Sequence, residues 1–187
     1  GSAARIADEA LQLLLAPNTP SGTRDLLLMP DQMILQIHES IGHPLELDRI
    51  LGDERNFAGT SFIRQEDFGH YQYGSSLLNV TFDPGVPGEL ASYRHDDDGT
   101  PAQREYLIRD GILQRPLGGA LSQWRSGLPG VANSRACSWN RPPIDRMANL
   151  NLEPGEQSLA ELIGGIERGI LMSNNRSWSI DDARNKF

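Results

Sequence analysis

Two imidazoles and a carboxylate, His38, Glu39 and His43, fall within the segment QIHESIGHPLELD. Neutral imidazole is a good zinc ligand, and a glutamate beside a metal can take a proton from water, so the trio suits hydrolysis of a peptide bond. The familiar zinc-peptidase pattern HExxH sets its histidines four apart, about 40° from one another around a helix of ~3.6 residues per turn. Here His43 stands five after His38. In a regular helix that offset is roughly 140°, which aims the two rings at different faces. One π-type turn of about 4.4 residues brings them back to approximately 50°. Gly42 eases such a distortion, and Pro44 lacks the amide that a regular helix would donate to the Ser40 carbonyl. The spacing therefore predicts a bulged or ending helix between Ser40 and Pro44. Without a metal, His38 reads as a core-adjacent histidine bonded to a backbone carbonyl, and His43 as a helix-terminal residue favoured by the dipole.

Other polar side chains compete for a place in the site. Glu46 and Asp48 follow His43, and Glu46 could reach the metal, orient a histidine, or belong to a solvated helix end. Cys137 is a possible thiolate ligand, set against a plain, partly buried thiol. His70 in FGHYQY and His95 before Asp96, Asp97 and Asp98 read as strand or turn residues. The three aspartates lack the longer pattern ending in a bidentate glutamate that an EF-hand needs. The glycine-rich segments GGALSQWRSGLPG and GGIERG have neither a phosphate-loop lysine nor a dinucleotide fingerprint, and no G-x-S-x-G elbow surrounds a serine.

The elements that must position the trio can be read around it. Helical spacing of Ile6, Ala10, Leu11, Leu13 and Leu14, stopped by Pro17, predicts a helix over 3–16 with one apolar face. Asp25 to Met29 reads as a buried strand. The helix that carries His38 and Glu39 is expected to start with Asp31 as its cap and to bury Met33, Ile34, Ile37, Ile41 and Leu45. Between Phe57 and Leu117, short apolar runs alternate with turn dipeptides, which predicts antiparallel strands, with a hairpin turning at Asp110-Gly111. Gly118 to Asp145, with four glycines and three prolines, reads as a long surface loop, and Arg146 to Leu152 as a strand. Ser158 and Glu161 form a capping box for a helix reaching Ile170, after which Leu171 to Phe187 is expected to be strand or loop. The fold class expected is α+β, mainly antiparallel sheet packed with about three helices.

Composition narrows the setting. A net charge of −8 opposes binding to nucleic acid or an anionic membrane. One cysteine excludes an internal disulfide framework, and no apolar run is long enough to span a bilayer, so a cytoplasmic location is expected. Gly1-Ser2 has the look of a cloning scar, so the chain is expected to be a piece of something longer.

HESIGHPLELDRILGDE resembles the HExxxH core of the TldD/PmbA family. In the same order, DDDGTPAQREYLIRDGIL resembles that family's acidic-Gly-Thr segment and hairpin, SRACSWNRPPIDRMANLNLEPG its Arg-Met-Asn strand and Pro-Gly turn, and SLAELIGGIERGIL the helix after it. The resemblance implies a zinc peptidase acting on unfolded or extended peptides, with His38 and His43 as Zn²⁺ ligands and Glu39 as general base. It implies pairing with a metal-free PmbA/TldE-like subunit or with a second copy. It also implies a third ligand, a cysteine, downstream of Phe187, and a further domain before residue 1. The chain is thus expected to be the central and C-terminal part of a TldD-like metallopeptidase domain. The competing expectation is a non-catalytic interaction subunit that shapes a partner's peptide channel.

Overall fold

The computed structural model describes residues 2–175 and 177–181. Helix α1 (Ser2–Leu15) forms as its periodicity predicts, but Ile6, Leu11, Leu13 and Leu14 are all more than half exposed, so its apolar face packs on nothing among the described residues. Strand β1 (Asp25–Leu28) is less buried than its composition suggests, with Asp25 and Leu26 exposed. It runs almost directly into α2 (Pro30–Ile37). Pro30 opens that helix because its fixed φ suits the first turn and its missing amide is not needed there. Met29 is therefore the cap residue, without a side-chain bond, and Asp31 lies inside the first turn, where its charge faces the helix dipole.

The chain then tightens around the site. A π turn over His38–Gly42 is followed by a 3₁₀ turn over His43–Leu45 and by α3 (Leu47–Leu51), which Gly52 ends in the left-handed conformation at φ 91°. Of the expected apolar stripe, Ile41 and Leu45 are buried, whereas Ile34 is 67% exposed. The stripe thus buries its C-terminal end, where the distorted turns lie.

What it buries against is an antiparallel sheet. Strands β2 (Val80–Phe82), β3 (Glu105–Arg109), β4 (Ile112–Leu113) and a later β7 (Leu150–Leu152) lie in the order β4-β3-β2-β7. The β3–β4 hairpin turns as predicted, with φ 50° at Asp110 and 76° at Gly111. Val80, Phe82, Leu107, Ile108, Leu113 and Leu117 are fully buried and share one cluster with Ile41 and Leu45.

The segment Gly118 to Asp145 is not a surface loop. It holds α4 (Ala120–Ser126), β5 (Ser134–Arg135) and β6 (Ile144–Asp145), and Val131 to Ser134 are buried. Its glycines serve closeness rather than looseness: a Cβ on Gly119 would overlap the Ser134 hydroxyl, and one on Gly130 the Gly118 carbonyl. The strand expected over 146–152 is shorter, confined to β7. Helix α5 (Leu159–Gly164) has the expected capping box of Ser158 and Glu161 but ends at Gly164 and Gly165, so Ile170 falls in β8 (Gly169–Met172) instead. β8 pairs in parallel with β1, Asp25 opposite Gly169 and Leu28 opposite Met172. The part of the last segment beyond Asp181 lies outside the described residues.

The class is α+β, with mostly antiparallel pairing and one parallel pair. Among the described residues there are five α-helices rather than about three, the additions being the short α3 and α4. No described helix is long and apolar enough to cross a membrane.

Candidate metal centre

The π turn closes on itself through the amide of His43, which donates to the carbonyl of His38, five residues back. That wider turn swings the second imidazole onto the first: the ring centroids are 4.5 Å apart with planes at 89°. Glu39 joins them, so that one ligand atom from each of His38, Glu39 and His43 lies within 4.8 Å of the others. His38 is exposed, His43 half-buried and Glu39 buried.

Two features hold the distortion in place. Pro44 offers no amide, and the Ser40 carbonyl it would have served accepts instead the hydroxyl of Tyr73. Burial pushes the Tyr73 phenol well above its ordinary range, which keeps it a donor. Gly42 has ordinary right-handed helical angles, φ −59° and ψ −65°, so backbone freedom is not why glycine stands there. A Cβ at that position would overlap the Met147 sulfur and sit 3.1 Å from Leu150 Cδ1. The π turn lies directly against the chain leading into β7.

Glu39 is anchored from one side. The Trp178 indole N–H donates to Glu39 Oε1 at 3.3 Å, while Oε2 is buried without a hydrogen-bond partner. A buried, unpartnered carboxylate oxygen costs roughly 1–3 kcal/mol or more, and here it lies in the same cluster as two imidazoles. Two nitrogens and a carboxylate form a donor set that zinc accepts well, so the residues present fit a zinc ion with Glu39 held beside it.

Behind His43 lies a buried charged network. Glu46 is not part of a solvated helix end: it is fully buried, 2.9 Å from His43 Nδ1, and accepts from Arg49 Nε at 3.0 Å and Nη2 at 2.6 Å. Burial pushes its carboxyl up, but the hydrogen bonds and charges of His43 and Arg49 outweigh this and hold it below the usual range. Asp48 and Asp145 exchange backbone bonds. The Asp48 amide donates to Asp145 Oδ2 at 2.9 Å and the Asp145 amide to Asp48 Oδ2 at 3.1 Å, tying α3 to β6. Burial, with the nearby charges of Asp145 and Glu46, pushes the Asp48 carboxyl up to about 7. Burial raises Asp145 as well.

His70, His95 and Cys137 are exposed and stand outside the His38–Glu39–His43 group. The Asp96–Asp98 segment is a structural turn. Asp96 Oδ1 accepts from the amides of Asp98 and Thr100, and its Oδ2 from that of Ser134, which spends both oxygens on backbone. Sequence reasoning did not find Arg49, Tyr73 or Trp178. Only Arg49 left a local signal, three residues after Glu46 on one helical face. Tyr73 and Trp178 arrive from distant segments.

Residues 21–187 match the family described as the PmbA/TldA metallopeptidase C-terminal domain. A metalloprotease of Methanocaldococcus jannaschii is 30% identical over 180 residues, which is 96% of this chain and 38% of that protein. A zinc metalloprotease TldD homolog of Saccharolobus solfataricus is 29% identical over 157 residues, 83% of this chain and 33% of that protein. Among solved structures, TldE from Thermococcus kodakarensis has a similar fold, with a TM-score of 0.67 at 20% identity over 86% of this chain and 35% of that one. A Thermotoga maritima protein described as a modulator of a DNA gyrase has a TM-score of 0.69 at 21% identity, over 91% of this chain and 36% of that one. The chain spans about a third of the length of these proteins.

Proposed function

Because the chain belongs to the PmbA/TldD metallopeptidase family, we propose that it carries the larger part of the catalytic centre of a zinc-dependent peptidase, with His38 and His43 as metal ligands and Glu39 as general base. One observation carries the reading: the π turn gathers two imidazoles around a buried glutamate whose Oε2 has no partner. When bound, zinc supplies a Lewis acid for the scissile carbonyl and makes nearby water acidic. Glu39 accepts the proton of the attacking water at Oε2 and passes it to the leaving amine, while Trp178 restrains Oε1 and so selects the oxygen that reacts. Catalytic zinc ordinarily takes three protein ligands. The third, by family resemblance a cysteine, is supplied from downstream of Phe187, and the two histidines alone hold the metal weakly.

The substrate is an unfolded or extended peptide. β1 and β8 form a two-stranded pair, so each has a second edge that is unpaired among the described residues, and β1 leads straight into the helix of the site. An extended peptide added as a further strand would lie alongside the catalytic helix. The partner is a PmbA/TldE-like subunit or a second copy, and the setting is the cytoplasm. The charge of −8 disfavours nucleic acid and anionic membrane as partners.

In the full-length protein, Glu39→Ala is expected to lower cleavage of an unstructured peptide by roughly 10²–10⁴-fold, with zinc content by atomic absorption unchanged. Cleavage at the wild-type rate would remove Glu39 from the mechanism. The likeness to TldE in fold favours a second reading, a non-catalytic subunit that shapes a partner's peptide channel. Under that reading the full-length wild-type protein, with every ligand present, purifies without stoichiometric zinc.

A further inference from the structure

We propose that Glu46, clamped by Arg49, is a positioning residue of this centre: it holds the His43 ring in the Nδ1–H form and leaves the Nε2 lone pair available to a metal. The proposal rests on the assignment of His43 as a ligand. It is carried by how the carboxylate is held and by what reaches its Oε2.

The Glu46 backbone has little room to move. Leu117 bridges it in parallel, its amide donating to the Leu45 carbonyl at 2.7 Å and its carbonyl accepting from the Leu47 amide at 2.9 Å. The side chain is wholly buried. Arg49, 2% exposed, directs Nε and Nη2 at Glu46 Oε2 and anchors Nη1 on the Ala58 carbonyl. An oxygen that faces two guanidinium N–H groups is an acceptor. His43 Nδ1, 2.9 Å from that same oxygen, is therefore the third donor. The 3.1 Å approach of Arg49 Nη2 to His43 Nδ1 sets one donor beside another, and follows from both converging on Oε2. With Nδ1 protonated, the ring's lone pair is on Nε2.

Stability does not explain this arrangement. Buried ion pairs are often matched or bettered by apolar residues of similar volume, and Glu46 Oε1 adds a buried oxygen with no partner. Nor does the carboxylate take a ligand's place, because it meets His43 on the Nδ1 side and lies outside the His38–Glu39–His43 group. Its position is that of a carboxylate orienting a histidine from behind.

Imidazole nitrogen NMR on the ¹⁵N-labelled, metal-free protein tests this without any substitution. In the neutral ring His43 is expected to carry its proton on Nδ1, and a dominant Nε2–H form would overturn the proposal. Glu46→Gln, close to isosteric, is expected to mix the two forms and to weaken Zn²⁺ binding by roughly 10–100-fold in competition with a chromophoric chelator. Wild-type affinity in Glu46→Gln, alongside lost affinity in His43→Ala, would overturn the role of Glu46 alone. Wild-type affinity in His43→Ala would overturn the ligand assignment beneath it.

Discussion

Asp48 and Asp145 hold one another by backbone amides in a buried place, and that arrangement gives the protein a titration of its own. Burial is the largest influence on Asp48, followed by the charges of Asp145 and Glu46, and together these outweigh Arg146 and the Asp145 amide to set its pKa at about 7. In an unfolded chain an aspartate titrates near ~3.9. The folded state therefore binds more protons between those two values, so the stability this group contributes is complete below about 4 and is lost as pH rises through about 7. The difference amounts to a few kcal/mol in order of magnitude. Urea midpoints measured from pH 4 to 8 should fall with rising pH more steeply in the wild type than in Asp48→Asn, which has no proton to lose. Parallel profiles would show that Asp48 titrates normally in the folded protein.

The π turn makes a different kind of demand, on space. Gly42 lies against Met147 and Leu150, and Gly42→Ala is expected to destabilise the protein by about 1–3 kcal/mol, the usual range for overpacking. Adding Met147→Ala should recover part of that loss, because the Met147 side chain occupies the space the new methyl needs. Strictly additive effects in urea unfolding would rule out the contact as the cause. The turn itself was readable in advance because five-residue spacing and Pro44 are both local facts about a helix. So were the Asp110-Gly111 hairpin and the Ser158–Glu161 capping box, each a short pattern with its own backbone geometry. The segment Gly118 to Asp145 misled because glycine density marks close packing as readily as a loop, and only the neighbours decide which. Helix α1 forms as its spacing predicts, although periodicity reports that an apolar face exists and not what covers it. Within the site, Tyr73 and Trp178 act across 33 and 139 residues of sequence, beyond the reach of any spacing rule.

At the scale of the molecule, the candidate centre sits where early and late parts of the chain meet. The four-stranded sheet is assembled largely from residues 80–113, with β7 added later, while the helix that leads into the π turn hangs from β1, whose strand neighbour is β8. Pairings close in sequence form quickly, whereas those that close long loops are slow. In refolding followed by quenched-flow hydrogen exchange, amides of the β3–β4 hairpin should gain protection before those of β1 and β8; simultaneous protection would contradict this order. The parallel partnership of Asp25 with Gly169 also sets a timetable during synthesis. At ~5–20 residues per second, a ribosome delivers β8 on the order of 10 s after β1. The segment bearing His38 and His43 thus spends that interval without its strand neighbour and without the Trp178 indole that restrains Glu39. The glutamate of the cluster gains its indole partner only when nearly all of the described length has been made.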